Sequence, residues 1–250
     1  GTEKIQTYFS FGNSHANGML ENNTYNRNSF ALRQSYEFFK RLHFNVNMNY
    51  VQTVTRNRPG GGTVLNPIYH MYTMPRNIDI DYYRNNYVKN GNWNSELQSL
   101  YVLNQGVYQW TQQRVALSGP MQNWAYMESM QNNPYWLMNQ NRGKQTEDRF
   151  YGTVTGRADI YDGLSFQARV SIDHTKYTND SRRYATTFNP SGMEDYGRYW
   201  KDISKSEEIY TDYLLSYNKD IKDFSVSATA GWVGHVIKGE IQKTDVVATY

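Results

Sequence analysis

The chain has 250 residues, a formal net charge of +3 and no cysteine. Without cysteine it holds neither a disulfide scaffold nor a thiolate metal site, and so small a net charge gives no reason to expect a nucleic-acid partner. Its 23 Tyr, 10 Phe and 6 Trp make it 16% aromatic, which suits strands with one apolar and one polar face. No window comes near the roughly 18 consecutive apolar residues of a transmembrane helix, but alternating membrane strands escape such a scan.

Alternation of apolar and polar side chains predicts seven β-strands. They are, in chain order, 4–14, 25–38, 42–55, 148–160, 164–176, 207–219 and 224–237. The clearest alternation sets Leu42, Phe44, Val46, Met48 and Tyr50 against His43, Asn45, Asn47 and Asn49. A helix would scatter these residues around its circumference, whereas a strand places them on two opposite faces. Several of the predicted strands reach the roughly 9–11 residues that a tilted strand needs to cross a membrane.

Turns and loops are distributed unevenly between the strands. Tight turns are predicted at 39–41, 161–163 and 220–223, and Gly163 falls where a three-residue hairpin requires a left-handed backbone. The other connections are long, above all 57–146, within which 95–112 is predicted to be helical. Short turns at one end and long loops at the other are typical of outer-membrane barrels, in which the long loops are extracellular. We therefore predict an all-β fold, an antiparallel transmembrane β-barrel segment of about seven strands.

Several segments carry a family resemblance through their order and spacing. They are YFSFG at 8–12, YNRNSF at 25–30, NPIY at 66–69, MPR at 74–76, NPYW at 133–136, DRFYG at 148–152, and the strand at 164–173. In this order they resemble the SusC/RagA family of TonB-dependent outer-membrane transporters of Bacteroidetes. The sequence departs from the family pattern at Arg76, which stands in place of a second proline.

The resemblance implies that the chain is part of a larger transporter. The family's barrels have about 22 strands and a plugged lumen, and they are capped by a SusD-like surface lipoprotein lid. Residues 1–250 are thus expected to form part of the barrel wall in the cell outer membrane, in contact with the lipid bilayer, while the plug and N-terminal domains are absent. The implied function is nutrient import of an oligosaccharide or a peptide, energised by the TonB complex through other parts of the parent protein.

The sequence offers no pattern for catalysis, a cofactor or a metal. Its histidines, which show no paired-ligand spacing, are His15, His43, His70, His174 and His235. No nucleophile is paired with a base in a recognisable spacing, and two glycine-containing segments, 59–63 and 143–146, lack the full pattern of a phosphate loop. We expect neither enzymatic activity nor a cofactor.

The candidate substrate-binding residues are aromatic and belong to the long loop. They are Trp93, Trp110, Trp124, Tyr135 and Trp136. Aromatic faces stack on sugar rings or peptide side chains, while the Asn and Gln amides between them can bind hydroxyl and backbone groups. The alternative is that these side chains form the loop's own small core, or the contact with the lipoprotein lid.

Two other functions are compatible with the same strands. One is a non-transporting outer-membrane barrel, such as an adhesin. The other is a soluble secreted β-sandwich that binds carbohydrate through surface aromatics, since alternating strands also build sandwiches. A sandwich requires Phe44, Val46 and Met48 to lie in a closed interior, whereas a barrel places them on its outer surface.

Overall fold

The computed structural model describes residues 4–38, 41–93, 97–104, 106–114, 117–126, 131–189, 192–193 and 196–247. Its strands are β1 (Ile5–Asn17), β2 (Thr24–Phe38), β3 (Leu42–Arg56), β4 (Val88–Trp93), β5 (Leu97–Asn104), β6 (Val107–Arg114), β7 (Leu117–Gln122), β8 (Gly143–Tyr161), β9 (Leu164–Arg183), β10 (Phe188–Asn189), β11 (Gly192–Met193), β12 (Arg198–Ile221) and β13 (Phe224–Val247). Three short helices, α1 (Pro67–Thr73), α2 (Ile80–Asn85) and α3 (Pro134–Asn139), lie between β3 and β8.

Seven of the strands form one antiparallel sheet, in the order β1-β2-β3-β8-β9-β12-β13. This confirms the predicted antiparallel fold of about seven strands, and since β1 and β13 are its two edges the sheet is not closed. The observed strands extend further than predicted at the end that carries the long loops: β12 begins at Arg198 and β13 continues to Val247. Those extensions are mostly polar, and their few apolar residues, such as Trp200, Ile203 and Ile241, do not form the regular alternation on which the prediction depended.

Cross-strand register brings the apolar positions of successive strands side by side. One row joins Phe11, Phe30, Tyr50 and Phe150. The next row joins Phe9, Leu32, Met48, Gly152, Ile172, Ile209 and Val236. Side chains two residues apart along a strand share a face, so these rows belong to one continuous apolar face.

The apolar face is an outer surface and not an interior. Phe44 is 38% exposed and Met48 is 36% exposed, and in the seven strands the only buried residue is Asp212. Among the described residues the remaining sheets have two strands each and none pairs with the large one. The architecture is therefore not that of a β-sandwich, in which two sheets bury their facing side chains.

The opposite face of the sheet is polar and carries ion pairs between neighbouring strands. Arg149 donates to Asp173, with Nη2–Oδ2 at 2.5 Å, and Arg169 Nε lies 2.6 Å from Asp212 Oδ2. These pairs satisfy charges that would be unfavourable against lipid but are acceptable beside water. The sheet therefore has one apolar face and one polar face.

Each successive tight turn lies further along the strands when its position is measured from one row of paired residues. A row of paired residues that starts at Leu42, beside the first turn, passes Ala158 and Phe166 and reaches Leu215. The β12–β13 hairpin ends at Ile221, six residues further on. Six residues at about 3.3 Å each amount to about 20 Å along the strands. Four inter-strand spacings of about 4.8 Å separate the middle of the β2–β3 turn from the middle of the β12–β13 turn. When the turns lie at one level, the strands therefore tilt by about 45°. Strands of membrane barrels tilt by about 35–45°.

The β8–β9 turn corrects one predicted detail and confirms another. Tyr161 pairs directly with Leu164, and the register shifts between Asp159 and Tyr161, so the turn is shorter than the predicted three-residue loop and a bulge precedes it. Gly163 has a φ of +80°, the left-handed backbone that was predicted, and a Cβ there would lie 2.4 Å from the Asn218 carbonyl oxygen. Only glycine fits both conditions.

The long connection between β3 and β8 is folded, but the helix predicted at 95–112 is wrong. Residues 97–104 and 107–114 pair as an antiparallel hairpin, with Gly106 at a φ of +83° in the turn. The segment is rich in aromatic and β-branched residues, which favour strands over helices. The sequence-based interpretation gave these too little weight.

The proposed contact of the apolar face with lipid is testable by placing a charge on it. Val154 lies mid-row between Val46 and Val170, so Val154→Arg should reduce the free energy of unfolding in lipid vesicles by about 2–4 kcal/mol. The control is Thr153→Arg, one residue away on the polar face, which we expect to cost much less. Equal losses for the two variants, measured by urea titration of the intact protein, would contradict the lipid-facing assignment.

Candidate functional site

Every buried hydrophobic side chain among the described residues lies in the loops. These side chains belong to Met121, Trp124, Tyr135, Trp136, Leu137, Met138 and Ala185. They pack with buried polar residues from four segments, 64–70, 121–124, 132–138 and 185–188, which together we call the loop cluster. The ordered core of this chain is thus at the long-loop end of the sheet and not within it.

Two Asn-Pro pairs in the loop cluster begin helices. Asn66 Oδ1 accepts from the backbone N–H of Ile68 at 3.1 Å, and α1 follows from Pro67. Asn133 Oδ1 likewise accepts from Tyr135 N–H at 2.8 Å ahead of α3. An Asn cap and a proline at the first helical position both favour a helix start. Two of the segments that resemble the transporter family are therefore helix-start signals.

Asn133 also ties the loops together. Its Nδ2 donates to the carbonyl oxygens of Asn123, at 2.8 Å, and Tyr83, at 3.2 Å. One fully buried amide thereby caps α3 and holds two other segments against it. Hydrogen bonding stabilises a buried amide, because an unpaired polar group away from water is unfavourable.

Gln122, at the end of β7, is the hub of the loop cluster. Its backbone N–H donates to Thr186 Oγ1 at 3.0 Å, and its Oε1 accepts from Asn133 N–H at 2.9 Å. Its Nε2 donates to Asn132 Oδ1 at 3.1 Å and to the Thr186 carbonyl oxygen. Gln122 has no exposed surface, so its hydrogen bonds are shielded from water and hold three segments in register.

Asn132 extends this network to the fourth segment. Its Nδ2 donates to the carbonyl oxygens of Val64, at 2.7 Å, and Phe188, at 2.9 Å. Its Oδ1 accepts from the Phe188 N–H at 2.8 Å. The buried amides thus take the organising role that aliphatic side chains play in most cores.

Three of the five predicted binding residues meet in the loop cluster. Trp136 has no exposed surface and donates from Nε1 to Thr187 Oγ1 at 2.8 Å. Trp124 is 3% exposed and Tyr135 9%. Of the two others, Trp93 is half-buried at the end of β4, and Trp110 lies on β6. That these five residues bind substrate stays a prediction.

The sequence-based selection missed the aromatic side chains that are most exposed on the loops. Tyr69 is 39% and Tyr72 85% exposed, both on α1, and Tyr82 on α2 is 51% exposed. Tyr69 and Tyr72 are three residues apart and therefore neighbours on the surface of the helix. That spacing, following the Asn-Pro helix start, was the available signal for them.

His70 is an almost fully buried histidine on α1, 1% exposed. Its Nε2 donates to the Val64 carbonyl oxygen at 2.7 Å, while its Nδ1 is buried with no partner. Burial lowers the pKa of His70, because the charged imidazolium loses hydration that the hydrogen bond to the Val64 carbonyl oxygen only partly replaces. The side chain therefore stays neutral within the loop cluster.

The loop cluster is built from aromatic and amide side chains. In the part of the chain that is described, no three His, Cys, Asp or Glu side chains come together as possible metal ligands. No helix within that part is long and apolar enough to cross a membrane. The amides of Gln122, Asn132 and Asn133 are buried, whereas Tyr72 and Tyr82 are exposed to solvent.

Comparison with known proteins finds a likeness of structure only. No known protein family matches the sequence, and no curated protein does. A structure of the RagAB peptide importer in the "closed-closed" state matches 98% of this chain, with a TM-score of 0.62 and 13% identity. A second structure, of the RagAB peptide transporter, matches 98% with a TM-score of 0.63 and 14% identity.

These matches show a common fold. In both cases the part matched is 24% of the other chain, so this chain spans about a quarter of its structural neighbours. The seven-stranded antiparallel sheet is therefore folded like part of those chains. The resemblance to the SusC/RagA family that the sequence indicated is supported to that extent.

Removing the side chain of Gln122 should loosen the loop cluster. Gln122→Ala leaves the Asn133 N–H and the Thr186 carbonyl without partners, and each unpaired buried group costs on the order of 1–3 kcal/mol. Hydrogen exchange of residues 132–138 should accelerate accordingly. The control is Gln6→Ala on β1, an exposed position. Unchanged exchange in Gln122→Ala would show that this network does not stabilise the loops.

Acid should loosen the same cluster through His70. The folded-state pKa lies below the usual value, so the unfolded form binds more protons as the pH falls below about 6.5. Stability of the loop cluster should therefore be full at neutral pH and fall as the pH drops below about 6.5. His70→Gln, which does not titrate, should flatten that part of the profile in proteolysis of the loops. A profile that is the same in both proteins would contradict this assignment.

Proposed function

We propose that this chain forms part of the wall and outer loops of an outer-membrane, TonB-dependent importer of peptides or oligosaccharides. The observation that carries the proposal is the fold shared with two RagAB structures over 98% of the chain. RagAB is a peptide importer, so we favour a peptide as the substrate. Import, location and energy source are proposed for the parent protein as a whole.

The two faces of the sheet support this proposal independently. A wall between lipid and a water-filled lumen needs apolar side chains on one side and polar ones on the other. The row that contains Met48 and Ile209 supplies apolar side chains on one face. The Arg149–Asp173 and Arg169–Asp212 ion pairs make the other face polar. Since peptides and oligosaccharides are polar, a polar lumen face is compatible with their passage.

The long loop is proposed to contact the substrate or a SusD-like lipoprotein lid. For Trp124, Tyr135 and Trp136, burial favours the alternative role of forming the loop's own core. For Trp93 and Trp110, contact with substrate is retained as part of the proposal. Tyr69 and Tyr72 are added because their exposed rings project from a helix held by the loop cluster.

The proposal is tested by deleting the gene and restoring it. Cells lacking the protein should lose uptake of labelled peptides or oligosaccharides, and restoring it should recover uptake only when TonB is active. The wild-type protein should fractionate with the outer membrane. Outer-membrane location with unchanged uptake would indicate a non-transporting barrel, and a protein stable in water without detergent would contradict the membrane assignment.

We expect the exposed tyrosines of α1 to contribute to binding of the lid or the substrate more than to folding. Replacing Tyr69 and Tyr72 with Ala removes two interface aromatics, and we expect about tenfold weaker lid association or uptake. The measurements are lipoprotein recovered with the purified protein and initial uptake rate. Tyr161→Ala, at the tight-turn end of the sheet, serves as the control. A double variant with wild-type association and uptake would remove these two residues from the site.

A further inference from the structure

On the apolar face of the sheet, charged side chains replace apolar ones towards the long-loop end. One row of paired residues joins Thr24, Arg56, Lys144, Asp180 and Lys201. Arg56 is six residues from Tyr50 on β3, and Lys144 is six residues from Phe150 on β8. An even separation keeps side chains on one face of a strand. Both cations therefore stand above the apolar rows on the outer side of the wall.

Two more arginines lie beside this row. Arg182, opposite Tyr199 in the register, has its guanidinium 5.7 Å from the centroid of the Tyr199 ring. Arg142 directly precedes β8, its carbonyl oxygen accepting from Arg182 N–H at 2.8 Å. We call Arg56, Arg142, Lys144 and Arg182 the basic outer patch.

The basic outer patch surrounds an open cavity of about 560 Å³. Asp180 is the only carboxylate that lines the cavity, and its Oδ2 accepts from the Tyr199 hydroxyl at 3.1 Å. Amide and hydroxyl groups of Asn22, Thr24 and Asn57 complete the wall. The cavity therefore combines excess positive charge with neutral hydrogen-bonding groups.

Among the described residues, the four cations have no ion-pair partner. Within the described part of the chain, no carboxylate lies within 4.0 Å of the charged nitrogens of Arg56, Arg142, Lys144 or Arg182. Arginines elsewhere in the sheet, such as Arg149 and Arg169, are paired. Four neighbouring like charges repel one another, so an anion with several negative oxygens would be bound favourably here.

The distance between the basic outer patch and the apolar rows indicates which class of anion could bind to the patch. Six residues at about 3.3 Å each, along strands tilted by about 45°, place Arg56 and Lys144 about 14 Å above the Tyr50–Phe150 row. The headgroup zone of an ordinary bilayer extends only about 5–7 Å beyond the hydrocarbon. The patch thus lies beyond the headgroups of ordinary phospholipids, at a height that a larger headgroup would reach. Its neutral polar groups can form hydrogen bonds with sugar hydroxyls.

We propose that the basic outer patch binds the phosphorylated sugar headgroup of a glycolipid in the outer leaflet. This inference rests on the proposed membrane location, because the patch faces lipid only if the apolar rows do. The phosphates would lie against the four cations and the sugars against Asn22, Thr24 and Asn57. Binding would hold this lipid against the outer face of the sheet, at the long-loop end of β3, β8 and β9.

The test compares glycolipid binding by the intact protein and a charge-neutral variant. The variant is Lys144→Gln with Arg182→Gln, and the control is Arg41→Gln with Lys222→Asn, which removes two charges at the tight-turn end. Each protein is reconstituted in phosphatidylcholine vesicles carrying labelled, phosphorylated lipopolysaccharide, and bound lipid is measured by fluorescence. We expect at least about tenfold weaker binding for the variant and none of this loss for the control.

Two further binding measurements identify the ligand. Phosphatase-treated lipopolysaccharide should bind the wild type as weakly as the untreated lipid binds the variant. Inorganic phosphate at millimolar concentration should not displace the glycolipid, and full displacement would overturn the glycolipid assignment in favour of a simple phosphate site. Equal binding by variant and control would overturn the proposal outright. Outer-membrane fractionation and uptake, measured on the same proteins, report separately on the proposed function.

Discussion

Backbone pairing between strands is the constraint on which the rest of this structure depends. Because each strand is hydrogen-bonded to its neighbours, successive side chains must point to opposite faces. A shift of one residue in any pairing would move a whole set of apolar side chains to the polar face. The bulge near Ile160 and the turn at Gly163 keep that register between β8 and β9.

The loops obey a different principle, since their core is built from amides as much as from aromatics. Gln122, Asn132 and Asn133 connect segments that are far apart in sequence, and each places its polar atoms on backbone groups. Loops normally stay at the surface because their backbone groups need partners. Here side-chain amides supply those partners, so the loops can be compact without regular secondary structure.

Sequence reasoning found the sheet because period-two alternation is a direct effect of strand geometry. It placed Leu42, Phe44 and Met48 on one face, and it identified Gly163 as left-handed. It failed where apolar residues do not alternate regularly, as in 198–206, and where strand-forming residues were interpreted as a helix, as in 97–114. It named Trp124 and Trp136 as candidates because of residue type, but burial depends on packing between distant segments, which a single sequence does not reveal.

The two edges of the sheet have a consequence for assembly. Within the part of the chain that is described, the 24 residues of β13 and the 13 residues of β1 each pair with a neighbour on one side only. In hydrocarbon, each unsatisfied N–H or C=O costs several kcal/mol. In the proposed bilayer location the sheet would therefore need strands that cover both edges, and a factor that shields such an open seam would have to recognise backbone rather than side chains.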